Sequence, residues 1–131
     1  MKSIVAAALA LSVMTSPARA ADLSPEEQSY VVIILNTLIV AVSCDGYTTV
    51  NGSGDAIADQ IGIGADIAAA TGAAIKMGTH QDYDRNLLIP EVTRFVNHTS
   101  DAIADLLRRD KQAYCRQYAP LLMKRGTLER K

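Results

Sequence analysis

Few side chains in this chain of 131 residues are equipped for chemistry: there are two cysteines, two histidines, one Phe and no Trp. Cys44 and Cys115 carry the clearest meaning. They lie 71 positions apart, so the close-spaced Cys-x-x-Cys of a dithiol redox site is absent. Two thiolates also fall short of the four ligands a structural zinc site wants. In an oxidising compartment their simplest product is one intramolecular disulfide. On the chain-entropy model, closing a loop of this length stabilises a domain by about 4 kcal/mol, which marks the bridge as structural.

Metal binding has one candidate, His80 with Asp82 and Asp84 in a polar segment, joined by His98. Hard cations want six or more oxygens and zinc wants a closed ligand set, so this segment reads as a solvated loop and no metal is expected. Covalent catalysis finds no better footing. Ser53 lies between Gly52 and Gly54 but lacks the Gly-x-Ser-x-Gly frame, and no convincing strand leads into it. The carboxylate pairs Asp55 with Asp59 and Asp101 with Asp105 share helix faces at four-residue spacing, with no apolar pocket in view to perturb them. The chain therefore reads as a non-enzyme without a cofactor.

Charge is the remaining chemistry. From Ala21 to Ile75 seven carboxylates meet no Lys or Arg, giving −7; from Lys76 onward eleven cations meet seven carboxylates, giving +4. Whole-chain charge is −1, which does not suggest a nucleic-acid binder. The cations Arg108, Arg109, Lys111, Arg116, Lys124, Arg125, Arg130 and Lys131 could meet an anionic partner such as a lipid head group, a cell-wall polymer or an acidic protein. The weightier reading is that they complement helix C-termini and the acidic first half. For recognition we single out Arg108, Arg109, Lys111 and Arg116, together with Asp45, Tyr47 and Asn51 in a loop over Asp45–Gly54, because loops on a rigid scaffold often carry binding.

The elements that must position these residues begin with a targeting segment. Lys2, the apolar run Ile4 to Val13 and the small residues Ala18-Arg19-Ala20 form a bacterial Sec-type signal peptide over residues 1–20, leaving one domain over 21–131. The expected destination is the periplasm or the cell exterior. Ser24-Pro25-Glu26-Glu27 is a helix start, and the apolar stretch Tyr30 to Val42 continues it as a core helix rather than a transmembrane span. A second helix is expected over Asp55–Lys76, with Ile57, Ile61, Ala65, Ala68, Ala69, Gly72 and Ile75 on a small apolar face and a kink or fray near Gly62–Gly64. A long third helix is expected from about Asp84 to Tyr118, started or kinked by Pro90 and recapped near Asn97–Ser100; Pro120 ends it or opens a short last piece over Leu121–Arg125.

Together these give an all-α fold: a small three-helix up-down-up bundle, its third helix long and kinked or split, with one disulfide. An up-down-up course places Cys44 and Cys115 at the same end, in agreement with the bridge. The segments Val50–Asp59 and Val96–Asp105 share seven of ten residues, 46 positions apart, and read as a repeated helix start rather than a duplicated unit.

In general plan the chain resembles small exported helical proteins with one disulfide, among them acid-stress chaperones of the periplasm and immunity proteins that neutralise effectors delivered between bacteria. No residue role transfers from either. The expected function is non-enzymatic binding of a periplasmic protein or peptide. The alternatives are a small-ligand or lipid carrier, which needs a cavity of roughly 300 Å³ or more beside the Ala/Gly face, and an acid or stress chaperone.

Overall fold

Ser24 starts the first helix as its residues require. Its hydroxyl accepts from the Glu27 N–H at 3.1 Å while the Glu27 carboxylate accepts from the Ser24 N–H at 2.9 Å, and Pro25 occupies the first helical position. This computed structural model describes residues 22–131; the signal-peptide reading of residues 1–20 falls outside them. Helix α1 runs Pro25–Ser43 and ends where Cys44 turns extended. By length and composition it is apolar enough to cross a membrane. Its buried side chains nevertheless include Val31, Leu35 and Val40, which join the protein's own hydrophobic core.

The second expected helix is two. Helix α2, Ser53–Ile61, stops at Gly62, whose φ of 89° is the left-handed conformation glycine adopts without strain; the N–H groups of Gly62 and Ile63 both return to the Ala58 carbonyl. Helix α3, Ala65–Gly78, then restarts from Gly64. The break resets the phase of the small-residue face. Ala70, Thr71, Ala73 and Ala74 are buried, whereas Ala68, Ala69 and Gly72 are only half-buried.

The third expected helix is also two, and its break lies elsewhere than expected. A 3-10 turn at Arg85–Leu87 precedes helix α4, Pro90–Arg109, which passes through Asn97–Ser100 without recapping. The chain breaks at Asp110, whose extended backbone closes α4 and whose carboxylate accepts from the Ala113 N–H at 3.0 Å to open helix α5, Lys111–Arg125. Pro120 neither ends α5 nor starts a new piece. It is exposed, so water is available to the Arg116 carbonyl that loses its helical donor.

A two-stranded ribbon completes the fold. Strand β1, Tyr47–Thr49, pairs antiparallel with β2, Leu128–Arg130, with Tyr47 opposite Arg130 and Thr49 opposite Leu128. The described residues thus hold five α-helices and a small ribbon, mostly helical but not three rods. Neither copy of the repeated segment starts with a side-chain cap: the first follows Gly52, and the second lies inside α4.

The Cys44–Cys115 disulfide forms, with 5.8 Å between the Cα atoms. It ties the end of α1 to the first half of α5, not to the far end of one long third helix. Buried polar groups on α1 reinforce that crossing. The Tyr114 hydroxyl donates to Asn36 Oδ1 at 2.5 Å, Asn36 Nδ2 donates to the Val32 carbonyl at 2.9 Å, and the hydroxyls of Thr37 and Thr127 lie 2.7 Å apart. Among the described residues no buried side-chain polar atom lacks a partner.

Burial, and secondarily Tyr118, pushes the Tyr114 phenol well above the ordinary tyrosine range; burial, then Asp55, raises Tyr30 as well. A phenol raised in the native state holds its proton more tightly folded than unfolded. Its contribution is therefore intact below the unfolded value, near pH 10, and lost as pH climbs through the folded one. The melting temperature is expected to hold flat to about pH 9 and fall above about pH 10, more gently in Tyr114→Phe. Native phenolate absorbance in which all five tyrosines titrate like the free amino acid would contradict this.

Candidate functional site

The side chains singled out for recognition gather only in part. Arg108 and Arg109 close α4, Lys111 opens α5, and Arg116 follows Cys115; the disulfide brings Asp45, next to Cys44, to the same end. Arg109, Lys111, Arg116 and Asp45 are exposed, while Arg108 is committed to an ion pair with Asp105. Tyr47 is not a free loop residue. It lies in β1, half-buried, with the Arg130 guanidinium 5.2 Å from its ring centre. Asn51 is exposed on the turn before α2. The Asp45–Gly54 segment is therefore partly strand, clamped by Val50 N–H to the Thr127 carbonyl and by Lys131 N–H to the Gly46 carbonyl.

Of the seven, Arg108, Arg109, Lys111, Arg116 and Asp45 give one end of the fold a mixed charge, and none of the seven lines a groove described below. The polar segment after α3 is likewise spent on local structure. Asp84 accepts from the Asn86 N–H at 2.9 Å to cap the 3-10 turn. Among the described residues no three His, Cys, Asp or Glu side chains gather where a metal could sit.

The concave site lies on α1 itself. Leu35, Leu38, Ile39 and Val42 form one wall of a groove of about 670 Å³, half open to solvent, closed by Ala74, Ile75 and Gly78 of α3 and by Val96, Ala104 and Leu107 of α4. Its polar rim is Ser43, Thr79, Asn97, Ser100 and Asp101, and Asp101 is the one charged side chain lining it. Small side chains on α3 and at Ala104 leave this space, because no bulky group fills the gap opposite the Leu and Ile ridge.

The orientation of α1 is unusual for a helix at the protein's surface. From Ser29 to Ser43 it carries no charge, and its polar side chains Asn36 and Thr37 are turned inward at 5% and 4% exposure. Its apolar ones are turned outward in part, Leu38 at 37% and Val42 at 86%. Sequence reasoning missed this face because a helix apolar on nearly every side reads as wholly buried. The one signal available was the spacing of Leu38, Ile39 and Val42, which continues the ridge of the buried Leu35 along a side of the helix that Val31 and Val40 do not occupy.

Comparison of the chain with protein-family models, with curated proteins and with solved structures finds no match.

Proposed function

We propose that the mature chain is an exported, non-enzymatic binding protein whose partner is another protein or peptide, seated in the groove between α1, α3 and α4. The observation that carries this reading is the uncovered apolar stripe of α1. A stretch of helix without charge, such as Ser29–Ser43, normally lies inside a protein, and here Asn36 and Thr37 face in while Leu38 and Val42 meet water. Positions 35, 38, 39 and 42 follow the i, i+3, i+4, i+7 ridge that another helix packs against, which favours an amphipathic helix of the partner. Asp101 on the rim favours a basic residue beside that helix's apolar face.

Export is supported by the disulfide, which persists in oxidising compartments. A small-ligand carrier has one observation in its favour: the groove exceeds the 300 Å³ scale and lies where Ala74 and Gly78 of α3 meet Leu and Ile of α1. The helical spacing of Leu38 and Val42 along one exposed ridge of α1 favours the protein partner.

Crosslinking in periplasm followed by mass spectrometry tests the proposal when wild type is compared with Leu38→Asp and Val42→Asp. Both positions are exposed, so the variants are expected to fold, as circular dichroism will check. One partner recovered by wild type and lost from both variants is expected. Equal recovery by folded variants, or no partner at low salt, would overturn the reading.

A further inference from the structure

A second apolar trough runs along another side of α1, against α5. Val32 and Ile33 face Tyr118, Leu121 and Leu122 across a basin of about 560 Å³. Lys124 and Arg125 line the same basin, and a neighbouring hollow along Pro25, Ser29 and Phe95 shares Val32, Ile33 and Arg125 with it. Val32 is 37% and Leu121 54% exposed, so this apolar surface meets water too. No carboxylate lines either space, and neither cation makes an ion pair among the described residues. Asn36, the polar group in the basin, already has both ends of its amide engaged, by Tyr114 and by the Val32 carbonyl.

Both cations complement the C-terminus of α5, which accounts for their type. It does not account for their place on an apolar basin in a chain whose mature charge is −3. Two of the last four α5 carbonyls have backbone donors: Leu122 and Met123 accept from the Gly126 N–H, and Leu122 also from the Thr127 N–H. Both cations are exposed, so their charge also acts outward.

The layout of charge selects the ligand. An acidic amphipathic helix carries its carboxylates along its length and would need cations spread along the rim. Here all charge sits at one end of a stretch of α5 from Tyr118 to Arg125, about 10 Å long at 1.5 Å per residue. Head-to-tail polarity on that scale matches one alkyl chain ending in a carboxylate, and the volume falls within the roughly 300–1,000 Å³ of small-molecule sites. We infer that the α1–α5 trough binds a single-chain fatty acid. The carboxylate sits between Lys124 and Arg125, and the chain lies on Val32, Ile33, Tyr118 and Leu121.

This site stands independently of the α1–α3–α4 groove, and decanoate below its micelle concentration is the probe. Calorimetric titration at low salt is expected to show one saturable site, weakened about tenfold or more in the Lys124→Glu, Arg125→Glu double variant. The Leu121→Asp variant is expected to lose binding, whereas Leu38→Asp in the other groove keeps it. Both cations are exposed, so the double variant tests the idea even where Leu121→Asp fails to fold. No saturable binding, equal affinity for neutral decanol, loss of binding in Leu38→Asp alone, or uptake of an acidic amphipathic peptide in preference to decanoate would each overturn it.

Discussion

Reducing the Cys44–Cys115 bond, or replacing either cysteine with alanine, is expected to remove about 4 kcal/mol of stability. The bridge closes a loop with a sequence separation of 71 that contains β1, α2, α3 and α4. Without it the unfolded chain regains the freedom of that whole span. Small domains have only about 5–15 kcal/mol in total, and each kilocalorie shifts the melting temperature of a domain of this size by roughly 4–8 °C. A fall of about 15 °C or more is therefore expected on adding reductant, with the loss readable as a lower urea midpoint. A reduced protein that melts within a few degrees of the oxidised one would show that the bridge restricts the unfolded chain far less than the entropic account requires.

The features legible in the sequence were those carried by neighbouring residues. Ser24, Pro25 and Glu27 specify the start of α1 because the capping box closes over three positions. Gly62 and Gly64 mark the break between α2 and α3 because a left-handed residue there ends a helix by itself. Asp110 was missed for the opposite reason. Apolar spacing runs on from Ile103 into Tyr114, and periodicity does not register a single residue that leaves helical φ and ψ while capping the next helix. The ribbon was invisible because each strand is three residues long, below the length at which alternation can be read, and its partner is about 80 positions away. The groove on α1 failed on yet another ground: an apolar side chain reads the same whether it faces a core or an absent partner. Only the geometry separates Val40, fully buried, from Val42, exposed at 86%.

Thr127 and Leu128, which lead into β2, support the second large prediction. Chain ends are normally dispensable, yet Leu128 is 2% and Thr127 1% exposed. Leu128→Ala is expected to cost about 2–5 kcal/mol, the range for a buried leucine whose cavity cannot fully collapse. Shortening the chain after Gly126 is expected to cost more, because it also strands the buried Thr37 hydroxyl that Thr127 satisfies at 2.7 Å. It would further leave the Val50 N–H without its acceptor and open the edge of β1. Arg130→Ala, which removes only the cation over Tyr47, serves as the contrast at about 1 kcal/mol or less. Urea denaturation of the four proteins checks the order. The midpoint should fall from wild type through Arg130→Ala and Leu128→Ala to the shortened chain. A shortened chain that unfolds at the wild-type midpoint would mean that β2 rests on the surface and that α1 keeps Thr37 satisfied by other means. A reversed order of Arg130→Ala and Leu128→Ala would place the clamp in the charge over the ring rather than in the buried leucine.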